Sequence, residues 1–175
     1  MKLKVAFQMD PITNVDLAAD TTFRLAEEAQ KRGHKIFYYN PENLIYDNGQ
    51  IIARGNEIKI NRKVAPAVKL GSDIILDLKK DIDVVWLRQD PPFDMLYITT
   101  TFLLERVRKN TLVINDPYWV RNSPEKLMIL DFKNLMPPTI ITRNLKAIIE
   151  FRSEHKDIIL KPLYGNGGSG VFRLT

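Results

Sequence analysis

The sequence predicts an α/β protein with an open, mostly parallel β-sheet and flanking helices. The first forty residues read as strand, helix and strand, and a helix of this length between two strands favours a parallel pair joined by a right-handed crossover. The run VVWL at residues 84–87 is apolar throughout, which is typical of a strand that helices cover on both faces. With 45% apolar and 27% charged residues, the chain has the balance of a globular protein.

The first strand–helix–strand unit has recognisable ends. The apolar run at 3–7 stops at Asp10-Pro11, a turn signal. We expect the helix to begin with Asp16 as its N-cap, since an aspartate accepts from the free N–H groups of a first turn, and to stop at Gly33. The second strand is predicted at residues 36–39.

The middle of the chain alternates between clear and unclear signals. Residues 44–61 read as a polar hairpin around the turn Asp47-Asn48-Gly49, and no element is assigned to residues 62–82. A strongly apolar helix, which should be well buried, is predicted at 95–108. A short strand is predicted at 112–114.

The pattern changes after residue 122, where a second, unfinished unit is expected. Ser123-Pro124-Glu125 has the residue types of a helix start, with a serine N-cap and a proline at the first helical position. The later predicted elements are a helix at 144–154 and strands at 158–160 and 171–174. We therefore predict two domains, 1–122 and 123–175.

Charge and composition exclude several classes. The 26 basic and 21 acidic residues give a net charge of +5, but they are scattered, whereas nucleic-acid binding proteins concentrate basic residues in a patch. There is no cysteine, which removes disulfides and thiolate metal sites. No signal peptide or membrane-spanning run is recognisable, so we expect a cytoplasmic protein without nucleic-acid or membrane partners.

The glycine-rich loop at residues 165–170, GNGGSG, is the most informative motif. It matches G-x-G-x-x-G literally, but a dinucleotide-binding loop opens a helix, and here a strand follows. It lacks the Gly-Lys-Ser/Thr ending of a P-loop. The remaining interpretation is a flap between two strands, whose backbone N–H groups can bind phosphate oxygens. The alternative is a mobile hairpin tip.

Two lysines bear on this choice. Lys161 directly follows the predicted strand at 158–160, so the direction of its side chain should be fixed by that strand. A lysine ammonium is a compact point charge suited to phosphate. Lys126 lies in the predicted first helical turn after Ser123, where a cation opposes the helix dipole. A nucleotide phosphate would explain that position, although exposed lysines often tolerate it.

Five stretches cover nearly the whole chain: MDPI at 9–12, DVVWLRQDPPFD at 83–94, NSPEKL at 122–127, TIITRN at 139–144 and DIILKPLYGNGGSGVFRL at 157–174. In this order they resemble the prokaryotic glutathione synthetases. The resemblance implies a pre-ATP-grasp, Rossmann-like substrate domain at 1–122 and the incomplete start of an ATP-grasp domain at 123–175. It also implies an ATP-dependent ligase that joins γ-glutamylcysteine to glycine through an acyl phosphate, with a tendency to form homo-oligomers.

The family resemblance assigns roles to particular residues. Lys126 and Lys161 would contact the ATP phosphates, and Gly167, Gly168 and Ser169 would lie in the flap over them. Mg²⁺ is implied as a cofactor, but after Lys161 the sequence contains no acidic side chain, so no metal ligand is predicted there. The 175-residue chain is expected to be inactive alone.

Asp10, Arg88, Asp90 and Asp94 are candidate residues for the peptide substrate. Asp10 and Arg88 follow predicted strands, where α/β proteins bind ligands. The arginine could pair with a carboxylate and an aspartate could take an α-amino group. The alternatives are structural, since Asp10 and Asp90 precede prolines and Asp94 reads as a helix N-cap.

Two other functions stay open at this point. One is a different ATP-grasp peptide or amino-acid ligase. The other is a non-catalytic α/β module that binds a peptide or assembles with partner chains.

Overall fold

The computed structural model describes residues 1–175, which form two compact units. Unit 1 comprises residues 1–90 and 94–122, and unit 2 comprises residues 91–93 and 123–175.

Unit 1 is built on a seven-stranded sheet. Its strands are β1 (Lys4–Gln8), β2 (Lys35–Tyr39), β3 (Leu44–Asp47), β4 (Gln50–Ile60), β5 (Val68–Asp77), β6 (Val84–Leu87) and β7 (Leu112–Ile114). The order is β3-β4-β2-β1-β6-β7, and β5 also pairs with β4. Strands β2, β1, β6 and β7 are mutually parallel, while β3, β4 and β5 pair antiparallel. The predicted α/β class with a mostly parallel sheet is confirmed.

The helices of unit 1 lie on opposite faces of this sheet. They are α1 (Thr21–Lys31), α2 (Met95–Glu105) and α3 (Pro117–Asn122). Phe7 of β1 packs in one core cluster with Phe23 of α1, whereas its neighbour Ala6 packs in the other cluster with Leu104 of α2. Because successive strand side chains point to opposite faces, α1 and α2 cover different sides of β1.

The start of α1 corrects one prediction. Asp20, not Asp16, is the N-cap, and its Oδ1 accepts from the Phe23 N–H at 2.6 Å. Asp16 instead accepts from the Ala18 N–H at 2.9 Å in a preceding turn. The local signal is the same for both aspartates; what decides is that a helix beginning at residue 21 buries Phe23 against β1. The predicted stop at Gly33 is confirmed, with φ of +79°.

The predicted hairpin is confirmed. Asn48 and Gly49 have φ of 44° and 87°, and two positive values are what a two-residue turn between twisted strands requires. The unassigned stretch at 62–82 contains β5, which the polar residues at 69–73 conceal. Gln30 of α1 bonds both backbone groups of Ile60, with N···O distances of 2.7 Å, and so ties the end of β4 to the helix.

Helix α2 is less buried than its apolar sequence suggests. Thr100, Thr101 and Leu104 are buried, but Leu96 is 76% exposed and Phe102 51% exposed. A helix that is apolar on all sides can place only one face on the sheet, so the expectation of a well-buried helix is wrong. The helix also ends at residue 105 rather than 108.

Unit 2 contains an irregular segment, a helix and a two-stranded sheet. A 3₁₀ segment at Met128–Leu135 is followed by α4 (Leu145–His155), β8 (Ile158–Leu160) and β9 (Phe172–Leu174), and β8 pairs with β9 antiparallel. The α4 prediction and the strand–loop–strand prediction are confirmed. The helix predicted from Ser123 is wrong, since residues 125–127 form a turn. No residue of the 3₁₀ segment that follows is buried, so this part of the chain lacks the packed apolar face that stabilises an α-helix.

Most apolar side chains of unit 2 are exposed. Within residues 123–175 only Ile158 is buried, whereas β1 and β6 are largely covered. The longest helices of the whole chain, α1, α2 and α4, have 11 residues each, about half of what crossing a bilayer requires, and no helix qualifies as a membrane span.

This difference in burial predicts a difference in local stability. We expect the amides of β8 and β9 to exchange with solvent at least about tenfold faster than those of β1 and β6, because few buried apolar contacts oppose local opening. Hydrogen exchange followed by mass spectrometry measures this, in a sample that light scattering shows to be monomeric. Equal protection of the two sheets would contradict the expectation.

Candidate functional site

A crevice is expected at one edge of the unit 1 sheet because the chain leaves two neighbouring strands in opposite directions. From β1 the chain passes through α1 to β2 on one side, and from β6 it passes through α2 to β7 on the other side. Strands β1 and β6 are adjacent and parallel. Ligands of open α/β sheets bind outside the carboxyl ends of the strands at such a switch point.

Three of the four predicted substrate residues meet at this edge. Asp10 follows β1, and Arg88 and Asp90 follow β6. The Arg88 N–H donates to the Gln8 carbonyl at 2.8 Å, and the Asp90 N–H donates to Asp10 Oδ2 at 2.8 Å. Backbone and side-chain hydrogen bonds therefore hold the two strand ends together.

Asp94 has a different place in the structure. It is the N-cap of α2, and its Oδ1 accepts from the Tyr97 N–H at 2.9 Å. The structural alternative for this residue, helix capping, is thus confirmed. One of its oxygens is committed to that bond.

The Arg88 guanidinium is held by hydroxyl groups rather than by a carboxylate. Its Nε–H donates to Thr22 Oγ1 and its Nη2 donates to Thr21 Oγ1, each at 3.0 Å. No carboxylate oxygen lies within 4.0 Å of an Arg88 side-chain nitrogen, so Arg88 forms no ion pair. Its positive charge is therefore oriented but not neutralised. The two threonines escaped the sequence analysis because the start of α1 was placed four residues too early.

Negative charge accumulates beside this arginine. Burial, followed by the charges of Asp10 and Asp20, raises the pKa of Asp90 above its usual value, and Arg88 only partly offsets this. Burial also raises the pKa of Tyr97, which Asp90 and Asp10 raise further and Arg88 lowers. Asp20 and Tyr97 thus belong to the electrostatic surroundings of the crevice, although no sequence motif indicated them.

Gln89, between Arg88 and Asp90, is fixed on the opposite face of the sheet. Its Oε1 accepts from Thr100 Oγ1 of α2 at 3.0 Å and from Gln8 Nε2 at 3.5 Å. Gln8 Oε1 is buried and has no hydrogen-bond partner. The segment 88–90 is therefore attached alternately to α1, to α2 and to Asp10.

In unit 2 the glycine loop provides unused N–H donors. Gly167, Gly168 and Gly170 have φ of 59°, 77° and 69°. The N–H groups of Ser169 and Val171 each close a turn onto the carbonyl three residues back, but those of Gly167 and Gly168 donate to no atom of the chain. A Cβ added at either glycine would meet nothing within 4 Å. The loop thus has space beside free donors, which fits a phosphate group.

The two predicted lysines border this loop. Lys126 Nζ donates to the Gly165 carbonyl at 2.7 Å, and Lys161, exposed at the end of β8, forms no ion pair. Because no helix starts at Ser123, the helix-dipole argument for Lys126 is wrong. Its place is explained instead by the hydrogen bond, which uses one of the three donors of the ammonium.

No group of three or more His, Cys, Asp or Glu side chains is arranged to hold a metal ion. Arg173, the only charged residue after Lys161, pairs with Asp157 on the neighbouring strand. The residues present here therefore do not fit a Mg²⁺ site.

Two family models match the sequence of this chain. One covers the region of the switch-point α/β unit and the other covers the region of the strand–glycine loop–strand segment. Residues 125–175 match the ATP-grasp domain of prokaryotic glutathione synthetase, which places the chain in the ATP-grasp class. Residues 3–121 match the N-terminal domain of the same protein family. The chain belongs to the prokaryotic glutathione synthetase family.

Individual relatives agree with this assignment. The chain is 52% identical to the glutathione synthetase of Mesorhizobium japonicum over 174 residues and 53% identical to that of Brucella melitensis over 175 residues. The Vibrio vulnificus glutathione synthetase is 39% identical over 175 residues. These alignments cover 99%, 100% and 99% of the chain but only 55%, 56% and 55% of the relatives. The chain thus spans about 55% of the length of the curated relatives it matches.

The raised pKa of Asp90 predicts how a neutral residue there affects stability. Between the usual pKa and the raised pKa the folded chain binds more protons than the unfolded chain, so the stability of the wild type falls as pH rises through this window. We expect Asp90→Asn to raise the free energy of unfolding at pH 7, and with it the melting temperature. The gain should be less than about 1 kcal/mol, since the group is partly solvated. The gain should vanish below about pH 3.5, where the aspartate is protonated in both states.

Calorimetry of the two proteins between pH 3 and 8 measures this difference. Asp131→Asn, at an exposed aspartate with no hydrogen bond, is the control and should behave like the wild type. Identical melting temperatures for wild type and Asp90→Asn at pH 7 would show that Asp90 is not electrostatically destabilised.

Proposed function

We propose that this chain supplies the peptide-binding domain, residues 1–122, and the beginning of the ATP-grasp domain, residues 123–175, of an ATP-dependent carbon–nitrogen ligase that joins γ-glutamylcysteine to glycine. Family membership supports this proposal. The observation that carries it is the Arg88 guanidinium, oriented by two hydroxyls and left without a carboxylate, beside Asp10 and Asp90 at the switch point.

The proposed reaction consists of two substitutions. The cysteinyl carboxylate attacks the γ-phosphorus of ATP, which forms an acyl phosphate and releases ADP. The amine of glycine then attacks the acyl carbon, so that an amide bond forms, inorganic phosphate leaves and the amine loses a proton. Both steps require that negative charge is stabilised and that water is excluded.

In this proposal the crevice binds the glutamyl end of the dipeptide. A γ-linked glutamyl group retains a free α-carboxylate next to a free α-ammonium, unlike the first residue of an ordinary peptide. Arg88 would take the carboxylate, and Asp10 and Asp90 the ammonium, through charge-assisted hydrogen bonds. Asp94 would contribute through its second carboxylate oxygen, since its first caps α2.

The glycine loop would bind the phosphates of ATP. The free N–H groups of Gly167 and Gly168 and the hydroxyl of Ser169 would donate to phosphate oxygens, and Lys126 and Lys161 would supply positive charge. Phosphoryl transfer uses Mg²⁺, but residues 161–175 contain no carboxylate side chain. The ligands of the metal ion would have to come from other residues. We therefore propose that residues 1–175 alone bind the dipeptide without turnover.

The crevice is tested by the affinity of the chain for γ-glutamylcysteine. We expect Arg88→Met to weaken binding at least about tenfold, because one charged hydrogen-bonded partner of the carboxylate is lost. Arg106→Met, at an exposed arginine without an ion pair, is the matched control and should bind like the wild type. Isothermal titration calorimetry gives the affinities, and α-linked glutamylcysteine should bind more weakly than the γ-linked peptide.

Two results would contradict this assignment. Equal affinities of Arg88→Met and wild type would remove Arg88 from the site. Equal affinities of the two dipeptides would favour a general peptide-binding module. The ligation assay, with dipeptide, glycine, ATP and Mg²⁺, is run on the same sample, whose intact mass is compared with 20.2 kDa; glutathione formed at that mass would contradict the expected inactivity.

The loop is tested by nuclear magnetic resonance of ¹⁵N-labelled chain titrated with ATP. We expect the amide signals of Gly167 and Gly168 to shift, and the shifts to be reduced several-fold in Lys161→Met and Lys126→Met because a counter-charge of the phosphates is lost. Lys133→Met, at an exposed lysine of the 3₁₀ segment, should leave them unchanged. Shifts that are absent, or equal in all variants, would reject the proposed phosphate site.

A further inference from the structure

We propose that Thr21 and Thr22 are positioning residues that turn the outer edge of the Arg88 guanidinium, the edge formed by Nη1 and Nη2, toward the α-carboxylate of a γ-glutamyl ligand. The inference rests on the proposed function and adds to it the groups that orient the arginine and the edge that the ligand meets.

The geometry of the guanidinium leaves one edge available. The group has five N–H donors in a plane, and it can bind a carboxylate through the Nε/Nη2 edge or through the Nη1/Nη2 edge. Thr22 Oγ1 accepts from Nε and Thr21 Oγ1 accepts from Nη2, each at 3.0 Å, so both positions of the first edge are occupied. The two N–H groups of Nη1 and the second N–H of Nη2 remain for a ligand.

The choice of hydroxyl acceptors has an electrostatic consequence. A carboxylate at the same position would hold the arginine equally well but would neutralise it. A threonine hydroxyl fixes the orientation and leaves the full positive charge. Oriented and unneutralised charge is what the binding of an anionic group in a fixed pose requires.

The threonines are themselves fixed by the start of α1. They are the first two residues of the helix, and the cap from Asp20 Oδ1 to the Phe23 N–H holds this turn. Thr22 is 4% exposed, whereas Thr21 is exposed. Water can replace the hydroxyl of Thr21 but has little access to that of Thr22, so Thr22 should have the larger effect.

Phe23 shows why this turn cannot shift freely. It is fully buried in the core cluster shared with β1, and Arg62 lies over its ring with the guanidinium carbon 5.1 Å from the centroid. At the other end, the Arg88 backbone N–H is bonded to Gln8. Both the arginine and its two acceptors thus start from rigid elements.

The test is a thermodynamic cycle in the full chain. The variants are Thr22→Val, which is nearly isosteric and lacks the acceptor, Thr22→Ser, which keeps it, and the control Thr101→Val. Thr101 is also fully buried, but its hydroxyl donates to the Ile98 carbonyl within α2. The ligands are γ-glutamylcysteine and its analogue with an α-carboxamide in place of the glutamyl α-carboxylate.

We expect Thr22→Val to weaken dipeptide binding roughly tenfold, the effect of one hydrogen bond to a charged group. The carboxamide analogue should bind Thr22→Val and wild type equally, because it does not use the oriented charge. Thr22→Ser should restore the dipeptide affinity, and Thr101→Val should match the wild type. Calorimetry supplies all affinities.

Three results would overturn the inference. They are unchanged dipeptide affinity in Thr22→Val, equal weakening of both ligands, which would show a purely structural role, and failure of Thr22→Ser to restore binding.

A second measurement separates this inference from the proposed function. The Arg88 Nε–H should give a resonance protected from solvent exchange in wild type and Thr101→Val, and lose its protection in Thr22→Val. If the wild type binds no dipeptide, the proposed function is rejected. The resonance then decides on the orientation alone, and its absence in the wild type rejects the positioning by Thr22 as well.

Discussion

The parallel pairing of β1 with β6 is the constraint on which the rest of unit 1 depends. These strands are adjacent, with Val5 opposite Val84 and Gln8 opposite Leu87. From β1 the chain continues to β2 and from β6 to β7, so the two connections run toward opposite edge strands of the sheet. Right-handed crossovers then require α1 and α2 to lie on opposite faces. A crevice at the carboxyl ends is what this topology predicts. The residues that follow the two strands occupy it because the backbone brings them there.

The charges in this crevice are kept apart rather than paired. Arg88 is bonded to neutral hydroxyls, while the pKa of Asp90 is raised by burial and by two neighbouring aspartates. An arrangement with an oriented cation and a destabilised anion at one edge is complementary to a ligand that carries both charges on adjacent atoms, as an α-amino acid group does. In the proposed function, binding of such a ligand would recover the stability that the unliganded chain loses here.

The sequence predicted those features that depend on local signals. The Asn48-Gly49 turn needs positive φ at both positions, and these residue types predicted the hairpin that β3 and β4 form. The predictions from sequence failed for features that depend on residues distant in the chain. Strand β5 exists because β4 offers an edge to pair with, and the exposure of Leu96 reflects which face of α2 meets the sheet. Asp10 and Arg88 were recognisable as residues after strand ends, and Asp90 was a candidate through the family resemblance. Thr22 was not, since nothing in its neighbours signals that an arginine 66 residues later will bond to it.

The glycines of the two units serve different physical purposes, and this bears on the loop at 165–170. A Cβ at Gly55 would lie 2.2 Å from the Tyr38 carbonyl oxygen, so that glycine permits two strands to approach. At Gly167 and Gly168 the surroundings are open and only the positive φ requires glycine. Since no packing contact accounts for these two glycines, what they provide is the backbone conformation of the loop. The loop also lies in the unit with the fewest buried apolar side chains, where local opening requires little free energy. Open space and free N–H donors, with the low local stability predicted for this unit, are the properties that the proposed flap would need to close over a phosphate and open again.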